Sequence, residues 1–467
     1  MKKMTKAVAL VLAMILATGM LAGCGVNKGD KNDKGQTVIS VGSWPSKEGI
    51  DLTNIEARKA AFEAANTDVE VKPDMWIFDR KTFYAKAAGG QLPIVYQAGF
   101  TEVAEIINSE LSADLTDVTK EKGIYDMLNP QVREAMGKDG HVYALPKVVD
   151  VMGLAYNTEL FEKAGLVEAD GTPKTPKTWD EFVEFAVQIK EKTGKAGIVF
   201  PTSKHGGWLF TIIGWGHGVD FMEKDENGKW KATFNTPEAV KALQWVKDLK
   251  WKYDVVPAQA LVTGDQWWEL LGTGNAGMTI AAPSGAVPSV VKYGMTPKQL
   301  GFLPMPAGPE RHVTLITGEI WCLNHASSKD QVDAGVRWLQ TASNFEVTEE
   351  FKQTKQDEIA KKKESNQLIG VKLMNPWSKE SEAYQYEHAL IDENMNVNPN
   401  QVKLYNDFVA DCPADIQAEE PVCCQELYET LGACMQELFT NKDADCAELL
   451  EKAAADFQSN YLDNVEY

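Results

Sequence analysis

Short β-rich runs alternate with amphipathic stretches along most of the chain. Thr37 to Val41 is such a run, ending at Gly42-Ser43-Trp44, and behind it Ile55, Ala61, Phe62 and Ala65 recur at helical spacing with Asp51 or Thr53 as the cap. Val69-Glu70-Val71 alternates like a second strand, Lys81 to Ala88 reads as a helix stopped by Gly89-Gly90, and Pro93-Ile94-Val95-Tyr96 as a buried strand. His141 to Leu145 and Met152 to Tyr156 are extended. Thr178 and Glu181 fit a capping box ahead of Phe182, Phe185, Ala186 and Ile189. Pro237 in Asn235-Thr236-Pro237-Glu238 opens the next long helix, whose Val240, Leu243, Val246 and Leu249 face one way. A Pro/Gly-rich stretch from Pro304 to Pro309 precedes the run Leu315 to Leu323 and a helix from Asp330. Strand and helix in alternation predict an α/β fold, and the absence of an internal repeat excludes a solenoid.

The first residues break this pattern. Lys2, Lys3 and Lys6 precede an uncharged apolar run from Ala7 to Met20, too short for the roughly 20 residues of a spanning helix, so it reads as a cleavable signal peptide over residues 1–23. Leu21-Ala22-Gly23-Cys24 resembles a bacterial lipobox, which makes Cys24 the expected lipidation site and the anchor to the outer face of the cell membrane. Residues 24–36 are polar and Gly-rich and read as a tether.

Composition narrows the partners. With 67 Asp and Glu against 47 Lys and Arg, nucleic acid is disfavoured. Arginine occurs only at Arg58, Arg80, Arg133, Arg311 and Arg337, so a polyanionic ligand is less expected than a neutral one. Thirteen tryptophans supply flat apolar faces of the kind that sugar C–H surfaces lie against, with Asp, Glu, Asn and Gln to read hydroxyls. Besides Cys24 there are six cysteines, and Cys412, Cys423, Cys424, Cys434 and Cys446 crowd the C-terminal part. Free thiols, a disulfide and a metal site all remain open, although no CxxC spacing supports metal and His388 is the one histidine nearby. Nothing calls for a cofactor.

Several segments together resemble family 1 extracellular solute-binding proteins, the group that includes maltose-binding proteins. They are Asp139-Gly140-His141-Val142-Tyr143-Ala144-Leu145-Pro146, Gly153-Leu154-Ala155-Tyr156-Asn157, Leu160 to Leu166, Pro176 to Phe182, Gly274 to Met278 and Gly301 to Pro306. The resemblance implies a two-lobe type II binding-protein fold with a ligand cleft between the lobes, lobe 1 over residues 37–149 and 319–345, and lobe 2 over 150–318 and 346–467. It further implies crossings near Val148 to Val151 and Thr317 to Ile320, closure on a carbohydrate, an ABC importer's permease subunits as partners, and a monomer. The stretch from about Gln340 to Trp377, with Lys361-Lys362-Lys363, fits the family poorly and reads as a helical insertion or third crossing.

Candidate ligand residues follow from that frame. Trp44 ends the first strand, Gln97 follows the Ile94 to Tyr96 run, and Asp150 stands at the first crossing, where maltose-binding proteins carry a ligand-contacting acid. Trp208 follows a His205-Gly206-Gly207 loop, Trp215 reads as core, and Trp267 and Trp268 are expected to point in different directions, one into the core and one, Trp268, toward ligand. Glu319 and Trp321 flank the second crossing. Pro283-Ser284-Gly285 departs from the family, which often has an aromatic residue where Ser284 stands, so stacking must be supplied elsewhere. A secreted glycoside hydrolase, the enzyme alternative, lacks a regular series of acids at strand ends, and GxSxG and HExxH are absent. A non-sugar solute, or a receptor that signals to a membrane sensor, remains the nearer rival.

Overall fold

The structure, a computed structural model, describes residues 30–259, 261–342 and 347–465. The signal peptide, Cys24 and residues up to 29 lie outside them. The chain divides into two compact units.

Unit 1 runs to Gln97 and adds Leu111–Ala113 and Cys322–Thr341. Strands β1 (Thr37–Val41) and β2 (Val69–Pro73) pair in parallel from Thr37 opposite Val69, and β3 (Val95–Gly99) joins β1 where Val41 faces Val95. Between them α1 (Ile50–Ala65) begins after Gly49 with no side-chain cap, so neither Asp51 nor Thr53 plays that part. Helix α2 (Arg80–Ala88) is capped by Asp79 and stops at Gly89, with Gly90 at φ 61. The helix at Lys329–Ala342 packs Trp338 into this unit, edge-on to Phe62. The second half of the expected tether is folded: Val38 donates to the Asp30 carbonyl, and Asn32 Nδ2 reaches Gln36 and Glu70, each at 2.9 Å. Asparagine, glycine and aspartate here make a turn beside β2 instead of a free linker.

Unit 2 holds Ala98–Glu110, Asp114–Trp321 and Ala342–Tyr467. Residues 114–149 are grouped with this unit. The reason is local bonding: Asn129 N–H donates to the Pro376 carbonyl and the Gln131 side chain to that of Cys412, which ties these helices to the C-terminal part. The hairpin at 137–142 turns on Asp139 and Gly140, both at positive φ. Strand β4 (Ala144–Val151) leads directly into β5 (Gly153–Asn157). Beyond the helix at Trp179–Thr193 lie β6 (Ala196–Ile198), α3 (Lys204–Gly216), α4 (Gly264–Gly272), β7 (Ala276–Ala281), α5 (Val287–Val291) and β8 (Leu300–Leu303). Thr178 caps the Trp179 helix through Glu181 N–H, while the Glu181 carboxylate accepts from Lys177 N–H at 2.7 Å, one residue beyond the expected reciprocal bond. The sheet order is β8-β5-β7-β6, every position of β5 and β7 being buried. Strand β9 (Val313–Leu323) pairs with β4 and with Asp415–Gln417. Helices α6 (Glu349–Glu364) and α7 (Cys424–Thr440) follow later in the chain. The poorly matching stretch thus contains a helix over Glu349–Glu364.

Candidate functional site

In unit 1 the carboxyl ends of β1 and β2 meet. Trp44 N–H donates to the Asp74 carbonyl at 3.0 Å and Ser43 N–H to that of Trp76 at 2.7 Å. Ser43 bends the chain at φ 58, and Trp44 turns inward: it is 3% exposed, stacks on Trp338 at 6.0 Å, and its indole N–H donates to Glu56. A ring so used holds the unit together. The surface above it belongs to Met75 and Ile77, 65% and 68% exposed, flanking a half-buried Trp76 that stacks on Phe83. Four apolar residues, Met75 to Phe78, directly after a strand end were the overlooked signal, since exposed apolar patches mark contact surfaces. Gln97 is half-buried on β3.

In unit 2 the crossing residue Asp150 is fully buried. Its Oδ2 accepts from Ser284 N–H at 3.0 Å, and its Oδ1 from Val151 N–H at 3.0 Å and the Tyr405 hydroxyl at 3.3 Å. Burial pushes its pKa up to about 6 against the pull of those donors. Asp150 therefore fastens the crossing strand to the Pro283–Gly285 turn. Ser284 itself is exposed. An aromatic residue stands next door: Trp268 carbons lie 3.9 to 4.0 Å from where a Cβ on Gly285 would sit. Trp267 and Trp268 do not diverge but stack on each other at 4.0 Å and 20°. Trp267 is the buried member, its N–H on Thr279, and Trp268 is half-buried.

The expected loop at His205 is the first turn of α3, so Trp208 sits on a helix, half-buried. Its indole donates to Glu419 at 2.8 Å, whose other oxygen accepts from the Tyr428 hydroxyl at 2.7 Å. Trp215, fully buried as core, donates to Glu420 at 2.9 Å. Burial raises both glutamates to about 7. At the second crossing Lys147 pairs with Glu319 at 2.8 Å and lies 5.6 Å over the Trp321 ring. The Trp321 indole N–H is buried without an acceptor among the described residues, a costly arrangement in a packed protein. Gly318 keeps the strands close: at φ 125, a Cβ there would come within 2.0 Å of the Val148 carbonyl oxygen.

None of the cysteines from Cys322 to Cys446 forms a disulfide among the described residues. Glu102, Glu105 and Cys424 bring their potential metal-ligand atoms within 4.8 Å of one another, and the Cys424 thiol already donates to the Thr101 carbonyl.

Two alternately wound α/β units, with polar turns and tryptophans at strand ends, make a binding protein of the two-lobe type. The profile of the family described as bacterial extracellular solute-binding protein matches residues 57–365, and the chain belongs to that family. Among curated relatives, the sn-glycerol-3-phosphate-binding periplasmic protein UgpB of Escherichia coli O1:K1 is 27% identical over 288 residues, or 58% of this chain and 62% of that protein. The chain thus matches less than two thirds of that relative's length. Solved structures of the same fold include the cyclic alpha-maltosyl-1,6-maltose binding protein of Arthrobacter globiformis (TM-score 0.63, 20% identity, 91% of this chain and 99% of that one). UgpB of Mycobacterium tuberculosis with glycerophosphocholine is similar at TM-score 0.64 and 16% identity, over 91% and 98%. These relatives are binding proteins rather than enzymes. No helix of the described residues is long and apolar enough to cross a membrane.

Proposed function

We propose that the protein is the substrate-binding lipoprotein of an ABC importer and that it captures a neutral carbohydrate, an oligosaccharide rather than a monosaccharide. The observation that carries this reading is how the arginines are used. Four of the five are bonded within the protein: Arg80 is against Tyr84, Arg133 holds the Tyr125 carbonyl, Arg311 reaches Gln417, and Arg337 forks onto Asp68 and Asn66. A phosphate or carboxylate ligand is best held by such a fork. What the candidate surfaces offer instead is Trp268 beside an exposed serine, Trp321 beside a Lys147–Glu319 pair, and Trp76 with Met75 and Ile77. Aromatic faces with hydroxyl, carboxylate and ammonium groups suit sugar rings.

A thermal-shift screen tests the ligand class. A bound sugar at 100 times its Kd adds about 2.7 kcal/mol to stability. Stabilisation by sn-glycerol 3-phosphate or glycerophosphocholine, and by no glycan, would overturn the carbohydrate reading in favour of the ligands named for two relatives. The anchor is tested separately: Cys24→Ala should leave the membrane fraction and lose its lipid, and retention there would place the anchor elsewhere.

A further inference from the structure

The Pro283–Gly285 turn borders a cavity of about 230 Å³ within unit 2. Apolar side chains such as Val287, Phe302 and Leu368 wall it, and Ser284, Lys362 and Gln367 bring polar atoms to it. Lys362 and Gln367 come from the end of α6 and the chain just after it, the stretch that matched the family least.

Lys362 is half-buried, and its ammonium makes no hydrogen bond or ion pair among the described residues. The nearby acids are already engaged: Lys355 holds Glu387 at 3.1 Å and Glu358 at 3.3 Å, and both oxygens of Asp150 are taken by the crossing and the turn. Burial lowers the Lys362 pKa, while Glu358, Asp150 and Glu387 raise it and Lys355 lowers it again. A half-buried ammonium without a partner is costly, and Lys362 lines the cavity with three donors to offer. Gln367 spends its amide N–H on Ser365, which leaves its side-chain carbonyl oxygen as an acceptor.

The lining brings hydroxyl, amide and ammonium groups and no carboxylate, and all three bond to sugar hydroxyls; the choice of a neutral unit follows from the carbohydrate reading. Size decides how much fits. The volume is below the roughly 300 Å³ at which pockets for larger ligands begin, so one small unit enters and not a chain.

We propose that this cavity is a subsite for one neutral hydroxylated unit, the end residue of a glycan, with Lys362 donating to its oxygens and Gln367 Oε1 accepting from a hydroxyl. The inference rests on the carbohydrate reading above and deepens it. The α6 segment, on this view, supplies the specificity that the missing aromatic at Ser284 leaves open.

Calorimetric titration of the parent, Lys362→Met and Gln367→Leu with maltotriose, cellotriose, xylotriose, mannotriose and sn-glycerol 3-phosphate tests it. A neutral trisaccharide should bind the parent and bind Lys362→Met about tenfold or more weakly, with the melting temperature little changed, because the methionine keeps the apolar stem. Equal binding to parent and Lys362→Met would remove the subsite and leave the carbohydrate reading standing. A parent that binds none of the glycans removes that reading and this inference together. If sn-glycerol 3-phosphate binds the parent better than any glycan and Lys362→Met abolishes it, the lysine serves an anion and the neutral assignment is overturned. Should Lys362→Met fail to fold, Gln367→Leu decides by the same comparison.

Discussion

Glu420 provides a quantitative test of the core of unit 2. It is 6% exposed, and its Oε1 accepts from the indole of the fully buried Trp215 at 2.9 Å. Burial moves its pKa from the usual 4.5 to about 7, with the Trp215 bond pulling weakly the other way and Asp220 adding to the rise. The unfolded chain releases this proton near 4.5, whereas the native protein keeps it until about 7, so in that window the native state binds more protons. Stability from this group is complete below 4.5 and is lost as pH rises through about 7. A shift of that size corresponds to about 3 kcal/mol. Glu420→Gln keeps an acceptor for Trp215 and cannot ionise. The variant should therefore match the parent to within about 1 kcal/mol near pH 4.5 and exceed it by about 3 kcal/mol near pH 8. Histidines act in the opposite sense, since burial pushes His388 down to about 4 and its contribution grows with pH, but that term is common to both proteins and cancels in their difference. Urea unfolding followed by tryptophan fluorescence at the two pH values measures it. A variant that tracks the parent at both, or is weaker at high pH, refutes the claim that Glu420 is held protonated.

Two further outcomes follow from packing. Trp44→Ala, which empties a buried site between Trp338 and Glu56, should cost about 3 to 5 kcal/mol in urea unfolding while leaving sugar affinity within about twofold; a large affinity loss at unchanged stability would make Trp44 a ligand contact instead. Gly318→Ala should destabilise by more than about 2 kcal/mol, since both its φ of 125 and the 2.0 Å approach to Val148 exclude a side chain, and a neutral substitution there would refute the close packing of β4 on β9.

Much of the fold was legible from local chemistry. Strand after helix, the Thr178 cap and Pro237 at the helix start all appear where spacing and residue type placed them, because each depends on neighbours a few residues away. Trp215 was legible as core for the same reason, sitting inside an apolar run. Site residues were less legible. Trp44 stands at a strand end in either account, and only the arrival of Trp338, from the other end of the unit's sequence, turns its ring inward. Asp150 occupies the crossing as expected, yet whether a carboxylate there faces ligand or backbone depends on Ser284 and Tyr405, 134 and 255 residues away. The same holds for Glu419 and Glu420, which nothing in the C-terminal sequence marks as acceptors for tryptophans on α3. Sequence alone determined the class, the order of elements and the supply of aromatic and acidic groups, since these are local or compositional. Tertiary structure decided which of those groups are consumed by the core and which, like Lys362 and Trp268, are left over. That choice is made by partners distant in sequence, whose approach no periodicity or motif encodes.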